Sequence, residues 1–227
     1  MISLHPKHLP KMRHEFLLMS MLLLLFGPLF IPKTYQPYVE PLLFLQTIFA
    51  AIILFTGRKI WRTAFILAFF VALVMHVLSL FDQSNYAETV TGGLYFFFYF
   101  SVSIETYRQI YYAEEVNLGM IAAVFSGFIL LCLMSSMFFM ILETVNPGSF
   151  SNLGMQGEKF QNISYFSFIT ALTIGYGDIV PLTMDAKKAT MFVALIGNFY
   201  TVIVTGIIIG KFVNRSRIDK GDESGTT

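Results

Sequence analysis

Charge is scarce in this chain: Asp, Glu, Lys and Arg make up 13% of 227 residues, where a soluble domain carries about 25%. The formal net charge is +1, which excludes nucleic acid or an acidic substrate as an electrostatic partner. Hydrophobic residues amount to 56%, with a mean hydropathy of +0.67, so the chain reads as a membrane protein. A single cysteine, Cys132, lies inside an apolar run. Without a second thiol there is no intrachain disulfide, and Cys132 reads as a small buried hydrophobe. The chain lacks a nucleophile–base set and any metal-ligand cluster, so neither an enzyme nor an organic cofactor is expected. Paired repeats, the usual mark of a proton-coupled transporter, are also missing. Lys7, Lys11 and Arg13 before the apolar run 16–31 imitate a secretory signal, but Pro32-Lys33-Thr34 follows in place of a small-x-small cleavage site. That run is therefore read as a retained membrane helix.

A helix needs ~20 mostly apolar residues to cross the hydrocarbon core. Candidate spans lie at 14–31, 38–56, 61–81, 91–110, 118–142 and 186–213. Gly27-Pro28 is expected to bend the end of the first; Gly57 closes the second, and Trp61 sits near an interface. With six spans both termini share one side. Placing that side in the cytoplasm puts eleven of the 15 Lys and Arg there and four outside (Lys33, Lys159, Lys187, Lys188), as the positive-inside rule requires. The segment 144–161 is polar and rich in Gly and Asn, an exterior loop. Residues 163–172 are apolar but too short to cross, as a re-entrant half-helix would be, with Asn162 or Ser164 as its cap. The polar end of the chain, DKGDESGTT, is expected to lack fixed structure.

Between the last two spans runs Thr170-Ala171-Leu172-Thr173-Ile174-Gly175-Tyr176-Gly177-Asp178. A polar, glycine-rich backbone at membrane depth survives only where it lines water or is covered by protein. Thr-x-Gly-Tyr-Gly is the pattern of potassium selectivity filters, whose backbone carbonyls replace the hydration shell of the ion. Carbonyls of Thr173, Ile174, Gly175 and Tyr176 would form stacked K+ sites, with the Thr173 hydroxyl below them. Successive carbonyls point one way only if the backbone alternates in hand, which Gly175 and Gly177 permit. One strand cannot surround an ion, so a single such run per chain implies a homotetramer. Ile174 and Tyr176 would point off the axis, backed by Tyr165, Phe166 and Phe168. In the last span Asn198, Thr201 and Thr205 share one face, read as lining a watery cavity, with interhelical hydrogen bonding as the competing reading.

Residues 118–213 resemble the pore domain of tetrameric potassium channels, and the stretch 114–150 resembles small bacterial six-helix potassium channel family proteins, the first four helices resembling theirs only in number and length. The resemblance implies an all-α integral membrane fold: six transmembrane helices, a re-entrant pore helix and a filter, the pore being of the voltage-gated-channel type. It divides the chain into a tail and four peripheral helices (1–117), a pore domain (118–213) and a cytoplasmic tail (214–227). It implies passive, potassium-selective conduction, with K+ as the bound ion, lipid as the surroundings and a bacterial plasma membrane as the location. Glu143 then matches the acidic residue that braces the outer mouth, Asp178 the acid just outside the filter, and Pro181 the proline that follows. Thr170 joins them as filter support. Gly197 matches the inner-helix glycine, either a hinge or a place of close packing. Tyr165 and Phe166 stand where those pores often carry a Trp pair, so the bond from Trp to Asp178 would be absent or replaced by one from Tyr165.

A voltage sensor carries several arginines at every third position, each worth about 2.3 kcal/mol per 100 mV. The fourth span has only Arg108, so steep voltage dependence is not expected. Glu105 reads as functional or as a partner of Arg108 one turn away. His76 reads as a packing residue, and His5, His8 and His14 as part of a solvated tail. The competing functions are a weakly selective cation channel and, in a different class, a structural or enzymatic membrane subunit.

Overall fold

The computed structural model describes residues 13–32, 34–55, 63–67, 69–71, 73–74, 85–113, 117–154 and 158–224. Side chains are further undescribed at 37, 38, 40, 85–89 and 212–224. The expectations for Gly57, Trp61, His5, His8, His76 and most of the third span lie outside the described residues.

The first helix, α1 (Arg13–Phe26), ends where Gly27-Pro28 removes a backbone donor, and the chain tightens into a 3-10 turn, Gly27–Phe30. Gln36 donates to the freed carbonyls of Pro28 (3.0 Å) and Ile31 (3.2 Å). It also opens α2 (Gln36–Leu54), with a proline in the first turn. Gln46 of α2 donates to the Ser20 carbonyl of α1 at 2.9 Å, fixing this hairpin. Helical residues at 63–67, 69–71 and 73–74 mark α3. Then follow α4 (Asn85–Tyr112), α5 (Leu118–Val145), the short α6 (Lys159–Ala171) and α7 (Met184–Ser224). Asn117 caps α5 by accepting the Met120 N–H at 2.9 Å.

Among the described residues the fold is all-helical, with one isolated bridge between Phe150 and Pro181. Among the described residues three helical stretches are long and apolar enough to cross a membrane: Arg13–Phe30, Leu118–Val145 and Met184–Lys211. Three differences from the sequence reading have plain causes. Helix α4 has the length of a span, 28 residues, but its tyrosines, serines, Glu105 and Arg108 dilute its apolarity. The apolar part of α2, Pro41–Leu54, is short. And the polar residues after 213 continue α7 as helix to Ser224, since no proline or glycine pair interrupts them before Gly221.

Two large apolar clusters organise the described residues, with a small third one at Ile110, Met120 and Ala123. One joins α1, α2, α4 and α5 through Leu17, Met21, Ile48, Tyr99, Val102 and Leu130. The other joins α5, α6 and the first half of α7 through Cys132, Phe139, Ile163, Phe166 and Val193. Helix α5 is the shared wall, and the serines in its middle are buried, Ser135 and Ser136 donating to the carbonyls of Leu131 and Cys132 four residues back. Helices α1, α2 and α4 therefore pack on the same helix, α5, that also carries α6 and the first half of α7.

Candidate functional site

The run 172–178 emerges from the C-terminal end of α6, and that helix end fixes its start. The N–H of Leu172 donates to the Phe168 carbonyl (2.9 Å), that of Thr173 to Thr170 (3.0 Å), and those of Ile174 and Gly175 to Ile169 (2.8 and 3.3 Å). Thr170 thus meets the run through its main-chain oxygen. Beyond this point φ is positive at every second residue: Thr173 (58°), Gly175 (58°) and Gly177 (82°). Glycine makes two of these inexpensive. Thr173 is a β-branched residue in the left-handed region, a position that costs of order 1–3 kcal/mol and persists only where the surroundings impose it. Sequence reading missed it because nothing in a lone threonine reports its φ.

The side chains of the run are open in the single chain. Ile174 is 47% and Tyr176 70% exposed. Phe166, expected behind them, is instead buried against Phe139 and Phe150, with ring centroids 5.4 and 5.5 Å away. Phe168 meets Phe128. Both aromatics hold α6 to α5 rather than covering the run. Ser167 adds a hydrogen bond to the Cys132 carbonyl at 2.8 Å.

Tyr165 reaches past the run: its hydroxyl donates to Asp178 Oδ2 at 2.8 Å. That bond, first among the causes, holds the Asp178 carboxyl below the usual carboxylate range. The contact is therefore complete at neutral pH and above, and is lost as pH falls through this lowered value. Tyr165→Phe should reproduce the acid state at neutral pH, loosening the segment after Gly177. Faster hydrogen exchange at 178–182 in the variant, insensitive to acid, is the expected outcome.

The segment after the run is tied to the loop that follows α5. Asn152 donates to the Asp178 carbonyl (2.8 Å), Ser151 N–H to Val180 (2.9 Å), and Leu182 N–H to Ser149 (2.8 Å). That loop is in turn held by Glu143, which is 7% exposed. Its Oε1 accepts the Gly148 N–H at 2.9 Å and its Oε2 the Phe150 N–H at 3.1 Å. Glu143 so acts on the outer end of the run at second hand, through the loop and not by contact. Glu143→Gln can accept only one of these bonds, which leaves a buried donor unpaired at about 1–3 kcal/mol. A lower thermal midpoint, with the helices still formed, is the expected readout.

Helix α6 begins four residues before the expected 163. Its N-cap is Glu158, with no side-chain cap bond. Asn162, expected to cap, donates to the Leu153 carbonyl at 2.8 Å, and the Ser164 hydroxyl is buried without a partner. Both therefore serve tertiary packing inside the helix.

Helix α7 closes the site from the other side. A Cβ on Gly197 would lie 2.6 Å from the Ala171 carbonyl oxygen and 2.8 Å from its Cα. Only glycine allows α7 to cross the end of α6 this closely. Asn198, Thr201 and Thr205 are all exposed on the isolated chain, and Thr201 also donates to the Gly197 carbonyl at 3.1 Å. Apolar Met191, Leu195, Phe199 and Val202 are exposed around them, each by more than half.

Residues 127–214, from the middle of α5 through α7, match the family model described as "Ion channel". The "Two pore potassium channel c" of Oryza sativa subsp. japonica is 35% identical over 63 residues, covering 27% of this chain and 14% of that relative. The chain thus matches a small part of that protein's length. No solved structure matches. Residues 127–214 are thus similar to an ion channel domain, and 63 residues of the chain are similar to part of a potassium channel.

Proposed function

We propose that this chain is the subunit of a homotetrameric, potassium-selective channel that conducts K+ passively across a cell membrane. The single observation that carries the reading is the alternation of positive φ at Thr173, Gly175 and Gly177. It begins where a short helix, held between two membrane-long ones, comes to its end. Alternating hand turns successive carbonyls toward one side, so four copies would enclose rings of oxygens from Thr173, Ile174, Gly175 and Tyr176. The C-terminal end of α6 adds the negative pole of its dipole beneath them. K+ is the cargo of these rings.

Exposure of Ile174, Tyr176 and the α7 face supports assembly. Asn198, Thr201 and Thr205 lie among exposed apolar residues on α7, and a polar stripe is poorly placed against lipid. Facing a central cavity filled with water, it is satisfied. In this reading α6 is the re-entrant pore helix, all six spans cross, and both termini are cytoplasmic. Arg108 is engaged by Glu105 at 2.7 Å and stands alone on α4, so the channel has no steep voltage dependence. The test is reconstitution of the purified protein in liposomes: barium-sensitive potassium flux supports the reading, and its absence refutes it.

A further inference from the structure

His14 is 2% exposed, not the solvated residue its place near the N-terminus implies. It lies in the first turn of α1 and faces α4. Its Nε2 is 2.8 Å from Gln109 Oε1. Gln109 in turn donates its amide nitrogen to Glu105 Oε1 at 2.9 Å, and Arg108 donates to the same oxygen at 2.7 Å. These bonds settle the roles. Because Gln109 gives its N–H to a carboxylate, its oxygen faces His14, and Nε2 must be the protonated nitrogen. His14 Nδ1 is buried and has no hydrogen-bond partner. Thr106 Oγ1 and Arg108 Nε, close by on α4, are likewise buried without partners. The joint is a half-satisfied polar network, the kind most sensitive to one added charge.

We propose that this joint between α1 and α4 is a proton-binding switch, in which His14 takes up a proton on Nδ1 and the helix contact rearranges. The added N–H has no acceptor in the neutral arrangement, and the new charge sits next to Arg13. Among the described residues, the charges acting on His14 are Arg13 on its own helix and Glu105 on α4. From α5 only the Ser126 hydroxyl approaches, donating to the His14 carbonyl at 3.5 Å, and α2 presents no described charged side chain. Among the described residues the anion acting on His14 is Glu105, separated from the ring by the Gln109 amide and engaged by Arg108. Direct pairing of His14 with Glu105 requires Gln109 to leave, which draws α4 along α1.

The movement has a mechanical outlet. Tyr107, two residues from Gln109, donates to the Gly127 carbonyl of α5 at 2.9 Å. Its ring packs on Tyr200 of α7 at 5.7 Å, and Tyr200 donates to the Val124 carbonyl. A Cβ on Gly127 would lie 2.9 Å from both tyrosines, so both sit tightly against α5 at this point. A shift of α4 is therefore felt by α5 and α7 together.

The switch itself is independent of ion conduction, and the test separates the two. Hydrogen exchange of the purified protein in detergent, corrected for intrinsic rate, is followed from about pH 8 to about pH 5, where histidine titrates. In the wild type, exchange in α1 and in the last turns of α4 should rise several-fold on acidification. His14→Gln keeps a donor to Gln109 and cannot be charged, so its exchange should stay flat. An unchanged wild type, or a variant that follows the wild type, overturns the proposal. Nitrogen NMR of His14 in a chain with His5, His8 and His76 replaced by Gln gives a second reading. The neutral Nε2–H form near pH 8 supports the assignment, and an Nδ1–H or charged ring there overturns it. In liposomes, flux should change several-fold over the same range in the wild type and not in His14→Gln. Loss of flux at every pH would instead refute the channel reading, leaving the exchange result to judge the switch.

Discussion

Alanine at Gly177 or Gly175 should abolish potassium flux while leaving the protein folded and assembled. Both glycines hold φ in the left-handed region, at 82° and 58°. No atom of the single chain crowds either one, since an added Cβ meets nothing within 4 Å. The obstacle is conformational: an L-residue there costs roughly 1–2 kcal/mol. That cost is incurred once per subunit, four times around a proposed ring, and a flip of the peptide relieves it. A flipped peptide presents an N–H in place of an oxygen, which repels the cation. The expected readout is normal size-exclusion behaviour and near-normal thermal stability, with flux at the level of empty liposomes. Flux within a few-fold of wild type would mean that these carbonyls do not form the path.

Gly197→Ala should fail for the opposite reason. Here the dihedral is ordinary and the space is absent, because the methyl group would meet main-chain atoms of Ala171 at 2.6 and 2.8 Å. Backbone cannot rotate out of the way, so α7 must move off the end of α6. Overpacking of this kind costs typically about 1–3 kcal/mol, and it displaces the element directly beneath Thr173. Lower thermal stability is expected together with lost flux, and a second substitution, Ala171→Gly, should recover little of either. A hinge role alone would leave stability intact and alter only opening. The pair of measurements therefore separates packing from hinge motion.

Local rules made the decisive features legible. Gly175 and Gly177 announced positive φ, and the start of α5 at Leu118 followed from the apolar run behind Asn117; Gly27-Pro28 announced only a bend, where α1 in fact stops at Phe26 and tightens into a 3-10 turn. What escaped was set by partners distant in sequence. His14 looked like part of a polar tail, yet its partner Gln109 stands 95 positions away. Asn162 and Ser164 are good caps by type, but Asn162 is bonded to the loop at Leu153 and Ser164 is buried within α6. Phe166 was assigned to the wrong side of α6 because a 13-residue helix with aromatics at 165, 166 and 168 offers no strong amphipathic signal. Thr173 was read for its hydroxyl, and its backbone strain is visible only in three dimensions. The resemblance left open whether Asp178 would lose its aromatic partner or gain one in Tyr165, and the Tyr165–Asp178 bond is present at 2.8 Å.

Selectivity is the property that tests the central claim most directly. In planar bilayers with potassium on one side and sodium on the other, current through the purified wild-type protein should reverse close to the potassium equilibrium potential. A reversal near zero, or current that persists unchanged when potassium is wholly replaced by sodium, would contradict a path lined by the main-chain oxygens of residues 173–176.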